Sequence, residues 1–123
     1  MKLLFASDSF KGTLSSDQTI ALLTKAAKEV FGDCETSGVP VADGGEGTTE
    51  AVVKARNGQI ISVPVHGPLM EKEQGFYGRL SDTEAILEMA AASGLPMVPE
   101  EKRNPLHTTT YGTGELLKAA LDA

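Results

Sequence analysis

Leu3-Leu4-Phe5-Ala6-Ser7-Asp8-Ser9-Phe10-Lys11-Gly12-Thr13 is the stretch that decides the fold class. Its four leading residues are apolar in an unbroken run rather than an alternation. That is the pattern of a strand buried on both faces of a parallel sheet. The run passes straight into a polar loop. Ligands of open α/β sheets bind at the carboxyl ends of the strands. Asp8, Ser9 and Lys11 therefore stand where a site is expected. Ser15 followed by Gln18 is a capping-box pattern and starts a helix. Ile20, Leu23, Ala27 and Val30 carry that helix's apolar spacing, and Gly32 ends it.

Residues 35–41 read as a second short strand, weakened by Gly38 and Pro40. A second polar loop follows: Pro40-Val41-Ala42-Asp43-Gly44-Gly45-Glu46-Gly47-Thr48-Thr49. Its three glycines permit backbone conformations closed to other residues and let a ligand approach the main chain. Asp43 and Glu46 place charge at the same spot, and the threonines can donate or accept. The plainer reading is a strand-to-helix loop with Asp43 as a helix cap. One cap needs neither three glycines nor a second acid, so the stretch is read as holding an oxygen-rich ligand with a metal ion. A second helix is expected over residues 46–56, with Ala51, Val52 and Ala55 as its apolar stripe. Asn57-Gly58 reads as a turn or helix stop.

The pattern changes after Gly58. Ile61, Val63 and Val65 alternate, Gly67-Pro68-Leu69 reads as a turn, and residues 75–80 and 85–89 read as two more strands. Pro64 suits an edge strand. This is a meander of antiparallel strands, unlike the β-α-β-α start. The reading is thus an α/β chain: residues 1–57 as the N-terminal part of a flavodoxin-like or Rossmann-like parallel domain, residues 58–123 as the beginning of a second α/β domain. Ala90-Ala91-Ala92-Ser93 begins a short helical turn. A last amphipathic helix is expected over residues 113–123. No glycine cap or basic last turn closes it, which suggests a piece of a longer protein.

Bulk composition narrows the function classes. The chain has 123 residues, 41% hydrophobic and 23% charged, as in ordinary globular proteins. A formal net charge of -6 argues against a nucleic-acid surface. No apolar run approaches the roughly 18 residues of a membrane span. Ser7 and Asp8 end the first apolar run too early for a signal peptide. Cys34, the only cysteine, allows no internal disulfide, in keeping with a reducing cytoplasm.

A further polar concentration is Arg103-Asn104-Pro105-Leu106-His107-Thr108-Thr109-Thr110-Tyr111-Gly112-Thr113-Gly114-Glu115. Thr113 suits an N-cap of the last helix. A helix N-terminus offers free N–H groups and partial positive charge to an anion. A loop with an ordinary cap is the plainer alternative. The chain has no G-x-x-x-x-G-K-[ST], no H-E-x-x-H and no G-x-S-x-G. His66 and His107 stand alone in sequence, and His66 beside Gly67-Pro68 reads as a turn residue.

What remains is a set of carboxylates with a lysine. Phosphoryl transfer asks for positive charge on the transferred group, a held Mg²⁺ and an oriented acceptor hydroxyl. Lys11 can be the point charge, although most lysines are solvated surface residues. Asp43 or Glu46 can bind Mg²⁺ directly or through water. Asp8 or Asp43 can take the acceptor hydroxyl's proton. Arg103 has the fork geometry for a small carboxylate. This reading puts Asp8, Lys11 and Asp43 in catalysis and Asp43 and Glu46 on the metal. Ser9, Gly44, Gly45, Arg103, Thr110, Gly112 and Thr113 are read as substrate-binding. Spacing alone points to a kinase-like site and does not name the substrate.

The chain resembles the bacterial-type glycerate kinase family. The resemblance rests on Asp8-Ser9-Phe10-Lys11-Gly12-Thr13-Leu14-Ser15, on residues 40–48, on Val65-His66-Gly67-Pro68-Leu69, on Glu88-Met89-Ala90-Ala91-Ala92-Ser93-Gly94-Leu95 and on residues 103–115. Family members are longer, so the chain reads as their first third. The resemblance implies ATP-dependent phosphorylation of D-glycerate to a phosphoglycerate. It also implies two α/β domains, one flavodoxin-like and one restriction-endonuclease-like, with the site in the cleft between them. The family's Gly-Gly-Ser-Ala-Thr-Asn-Asp-Gly-Gly motif is absent here. Two other readings stand beside this one: a non-catalytic α/β module that binds a small anion, and a fragment inactive by itself.

Overall fold

The structure is a computed structural model that describes residues 1–10 and 12–123. In chain order it contains β1 (Lys2–Ser7), α1 (Ser16–Phe31), β2 (Glu35–Pro40), α2 (Thr48–Arg56), β3 (Gln59–His66), β4 (Lys72–Arg79), β5 (Ala85–Ile86), α3 (Ala90–Ser93) and α4 (Tyr111–Leu121). Two short 3₁₀ turns, Leu95–Met97 and Glu100–Lys102, link α3 to the last segment. The mixed α/β class is as the sequence suggests: a parallel pair followed by an antiparallel sheet.

The chain divides into two compact units, Met1–Asp43 and Gly44–Ala123. In the first, β1 and β2 pair in parallel with Lys2 opposite Glu35 and Ser7 opposite Pro40. α1 begins as a capping box requires. The Ser15 hydroxyl accepts the Gln18 N–H at 3.2 Å, and the Gln18 side chain accepts the Ser15 N–H at 2.9 Å. Gly38 makes room for the helix, since a Cβ there would collide with Ile20. Of the expected stripe, only Ala27 is buried; Leu23 and Val30 face solvent and Thr19 is buried instead. Leu4 is 66% exposed and Val39 51% exposed, so the unbroken apolar run of β1 is covered by α1 on one face only.

The second unit is built on the antiparallel order β3-β4-β5, with Ile61 opposite Tyr77 and Val65 opposite Glu73. β3 is an edge strand, as Pro64 suggests. Gly75 lies under Leu116 of α4, and Gly78 under Val53 of α2. Three residues apart on one strand, the two glycines open to opposite faces. Helices therefore pack on both sides of β4. The core is Val65, Ala91, Ala92 and Leu116, with Val63 and Phe76 against it.

Three expectations are displaced. The change of pattern at residue 58 is not where the compact units divide, because α2 packs on β4 and so belongs with the antiparallel sheet. α2 starts at Thr48 rather than Glu46 and buries Thr49 and Val53, a spacing of four, while Ala55 is exposed. The strand expected over residues 85–89 stops at Ile86, and Glu88 turns inward.

Candidate functional site

In the first unit the parallel register makes both strands finish at the same end. The Val41 N–H continues the ladder, donating to the Ser7 carbonyl at 3.2 Å. Asp8 and Ser9 leave from the end of β1, and residues 41–43 leave from the end of β2. The two loops therefore emerge side by side, which is the arrangement expected of a parallel α/β sheet. Asp8 is half-buried, and its Oδ1 accepts the Ser9 N–H at 2.6 Å. The Ser7 hydroxyl donates to the Asp8 carbonyl at 3.0 Å. Below them, the Ser16 hydroxyl at the start of α1 donates to the Val41 carbonyl at 3.5 Å. Asp43 is exposed. Lys11 lies outside the described residues.

The acidic glycine stretch spans the division between units, with Asp43 the last residue of the first and Gly44 the first of the second. Gly44 has φ 97° and Gly47 has φ 89°, both in the left-handed region that side chains disfavour. The Gly44 N–H donates to the Thr48 hydroxyl at 3.1 Å, closing a turn that leaves Glu46 exposed. Asp43 does not stand at the N-cap position of α2. The N-cap position is Gly47, and no side chain within the turn caps it. The cap comes from 41 residues away. Glu88, 5% exposed, accepts the Gly47 N–H on Oε1 at 3.1 Å and the Thr49 N–H on Oε2 at 2.8 Å. Thr49 is fully buried, and its hydroxyl has no hydrogen-bond partner among the described residues.

The segment over residues 103–115 is also arranged differently from its sequence reading. α4 begins at Tyr111, so Thr110 takes the N-cap position, without a side-chain cap, and Thr113 lies inside the first turn. The Thr113 hydroxyl pairs with the Ser93 hydroxyl at 2.8 Å. The Tyr111 N–H donates to the Thr109 hydroxyl at 3.1 Å instead. Gly112 is buried so close to β3 that a Cβ would collide with the His66 carbonyl oxygen. Its glycine is needed for packing. Arg103 is exposed, and its Nε donates to the Val98 carbonyl at 3.2 Å.

His66 is not an isolated turn residue. Glu115 accepts its backbone N–H at 2.7 Å and sits 3.0 Å from its Nδ1. The Tyr111 ring meets the imidazole edge-on, 5.6 Å between centroids. The His66 backbone N–H, then the imidazole, hold the Glu115 carboxyl below the usual carboxylate range. An open cavity of about 450 Å³ lies beside the pair, lined by Pro64, His66, Lys72, Glu73, Gln74 and Glu115 among others. Sequence reading missed both Glu88 and the His66–Glu115 pair. Partners 41 and 49 residues apart leave no local spacing to detect.

Asp43 and Glu46 are carboxylates of the kind Mg²⁺ takes one or two at a time, alongside phosphates and water. No group of three or more His, Cys, Asp or Glu among the described residues could hold a metal. Nor is any described helix long and apolar enough to cross a membrane.

Residues 3–123 match the model of the glycerate kinase family. The chain is 52% identical to the glycerate kinase of Bacillus subtilis, aligned over 100% of this chain and 32% of the relative. It is 48% identical to the glycerate 2-kinase of Escherichia coli, again over 100% of this chain and 32% of the relative. A crystal structure of a Salmonella typhimurium LT2 protein named after glycerate kinase 2 superposes with a TM-score of 0.70 at 46% identity, over 99% of this chain and 33% of that one. The chain spans about a third of the length of the curated relatives it matches. With the family model matching residues 3–123, the chain belongs to the glycerate kinase family.

Proposed function

We propose that this chain is the N-terminal part of an ATP-dependent glycerate kinase that phosphorylates D-glycerate with Mg²⁺. The observation that carries the reading is the family match over residues 3–123, which takes in each polar segment singled out from the sequence. When bound, ATP supplies the phosphoryl group and Mg²⁺ offsets the charge between phosphates. Asp43 and Glu46 hold the metal. Lys11 places positive charge on the transferred group. Asp8 or Asp43, each following a parallel strand, takes the proton of the acceptor hydroxyl. Arg103, tethered through Nε, offers its terminal nitrogens to the glycerate carboxylate. Ser9, Gly44, Gly45 and Thr110 contribute polar contacts to the substrate, while Gly112 and Thr113 shape the start of α4.

The first amides of α2 are already taken by Glu88. That occupancy supports the reading in which this chain meets the nucleotide through Lys11 and the metal carboxylates rather than at these amides. With Cys34 as its only cysteine, the enzyme is read as cytoplasmic.

The test is phosphoryl transfer from ATP to D-glycerate by the full-length protein, followed as phosphoglycerate formed. Turnover is expected, with little or none from the 123-residue chain alone. Binding of glycerate without turnover in the presence of ATP and Mg²⁺ would favour a non-catalytic anion-binding module instead. Lys11→Ala is expected to lower turnover by at least tenfold, about 1.4 kcal/mol of barrier. An unchanged rate removes Lys11 from the mechanism.

A further inference from the structure

We propose that Glu88 is a positioning residue whose buried carboxylate sets the conformation in which the turn of residues 44–46 presents Glu46. The inference rests on the reading of that turn as part of a kinase site. Glu88 is 5% exposed, and a carboxylate so far from water persists only where donors replace its hydration. It has two, one on each oxygen: the Gly47 N–H at 3.1 Å and the Thr49 N–H at 2.8 Å. Those amides are at the N-cap and second position of α2, where helix N–H groups have no partner within the helix and the dipole favours a negative charge.

An N-cap is usually supplied by a Ser, Thr, Asp or Asn in extended backbone at the cap itself. Here that place is a glycine at φ 89°, which has no side chain to offer. Gly44, at φ 97°, stands at the other end of the turn. A turn flanked by two such glycines has many accessible conformations; bonds within it run from the Gly44 N–H to the Thr48 hydroxyl and from the Thr48 N–H to the Gly45 carbonyl at 3.2 Å. The carboxylate of Glu88 selects among them from outside. It is itself fixed, because Met89 follows it as the N-cap of α3, whose Ala91 and Ala92 are buried in the core. Glu88 thus ties the acidic turn to the buried core of the second unit. The same contact gives the turn its chemical character. A carboxylate already seated on the first amides of α2 repels a second anion from them. The turn is left to act through Glu46 on a cation rather than as a cradle for phosphate.

The experiment compares Glu88→Gln, Glu88→Asp, Glu46→Gln and the Glu46→Gln/Glu88→Gln double variant in the full-length protein. Glu88→Gln keeps the shape but turns an amide –NH₂ towards a backbone N–H. It should stay folded in thermal unfolding, speed hydrogen exchange at Gly47 and Thr49, and lower kcat by about tenfold or more while KM for ATP holds. The Mg²⁺ concentration for half-maximal rate should rise, and Glu88→Asp should recover part of the loss. If Glu88 acts through Glu46, the double variant should be little worse than Glu46→Gln alone. Fully additive losses, or faster exchange at both amides with kcat and Mg²⁺ dependence unchanged, would reduce Glu88 to a helix cap and overturn the proposal. If Glu88→Gln fails to fold, Glu88→Asp carries the same cycle with Glu46→Gln. If the wild-type protein shows no turnover with glycerate, the kinase reading falls. Mn²⁺ binding to wild type and Glu88→Gln then decides the positioning role: weakening by about tenfold supports it, and equal affinity overturns it.

Discussion

The two units of this chain bury their apolar residues to different extents. The second, Gly44–Ala123, has a core in the ordinary sense: Leu116 and Ala92 are fully buried, and glycines on β4 admit α4 and α2 at contact distance. The first, Met1–Asp43, sets one helix on two parallel strands and leaves Leu4, Val30, Phe31 and Val39 more than half exposed. Parallel strands are ordinarily covered on both faces, and a unit of this size buries too little surface to be robust. The difference teaches that apolar strand positions of one chain are packed to different extents. In β3 and β4 the packing closes over Val65 and Tyr77. In β1 it is half complete, and the unit depends more on local bonds such as the α1 capping box.

The contrast can be broken by deleting matched side chains in the 123-residue chain. Leu116→Ala should cost about 3 kcal/mol in denaturant unfolding, because it empties a fully closed site. Leu4→Ala should cost under about 0.5 kcal/mol, as for exposed positions generally. Comparable losses at the two sites would remove the distinction. A smaller effect sharpens it. Ser15→Ala removes the capping box and should destabilise the first unit by about 1 kcal/mol. Hydrogen exchange should rise across α1 while β3 and β4 keep their protection. Spread of the loss into β4 would mean that the units unfold as one.

The smallest effect tests the His66–Glu115 link inside the second unit. The folded Glu115 carboxyl titrates below its unfolded value of 4.5, so its contribution is present above pH 4.5 and disappears as pH falls through the lowered folded value. Glu115→Gln should therefore be less stable than wild type at neutral pH, and the two unfolding curves should converge in acid. Lys72 and Glu73 line the same cavity, and carrying out the comparison in the Lys72→Met background separates their influence. Curves that stay parallel through the acid range would show that the pair does not contribute through its charge.

Much of the candidate site was legible without a structure. The run Leu3-Leu4-Phe5-Ala6 passing into Asp8 and Ser9 announced a strand end with a polar loop, and the parallel register puts residues 41–43 beside it. The glycine-rich acidic turn was visible as a concentration of residue types. Its mode of support was not, because the cap of α2 comes from Glu88 and nothing near residue 47 signals it. Thr113 looked like an N-cap by composition. The helix starts two residues earlier because Gly112, where no side chain fits, lets that end of α4 close onto the His66 carbonyl.

The sequence by itself determined the α/β class, the capping box of α1, the antiparallel strands and the family. The first three rest on neighbours within a turn or on side-chain period, and the family on the resemblance of its motif segments, all of which the chain carries whatever surrounds it. Only the tertiary structure decided that α2 belongs with the antiparallel sheet, that Glu88 anchors the acidic turn, and that His66 has Glu115 as its partner. Those are meetings of residues about forty or more positions apart, set by which surfaces can close together, and local order does not encode them.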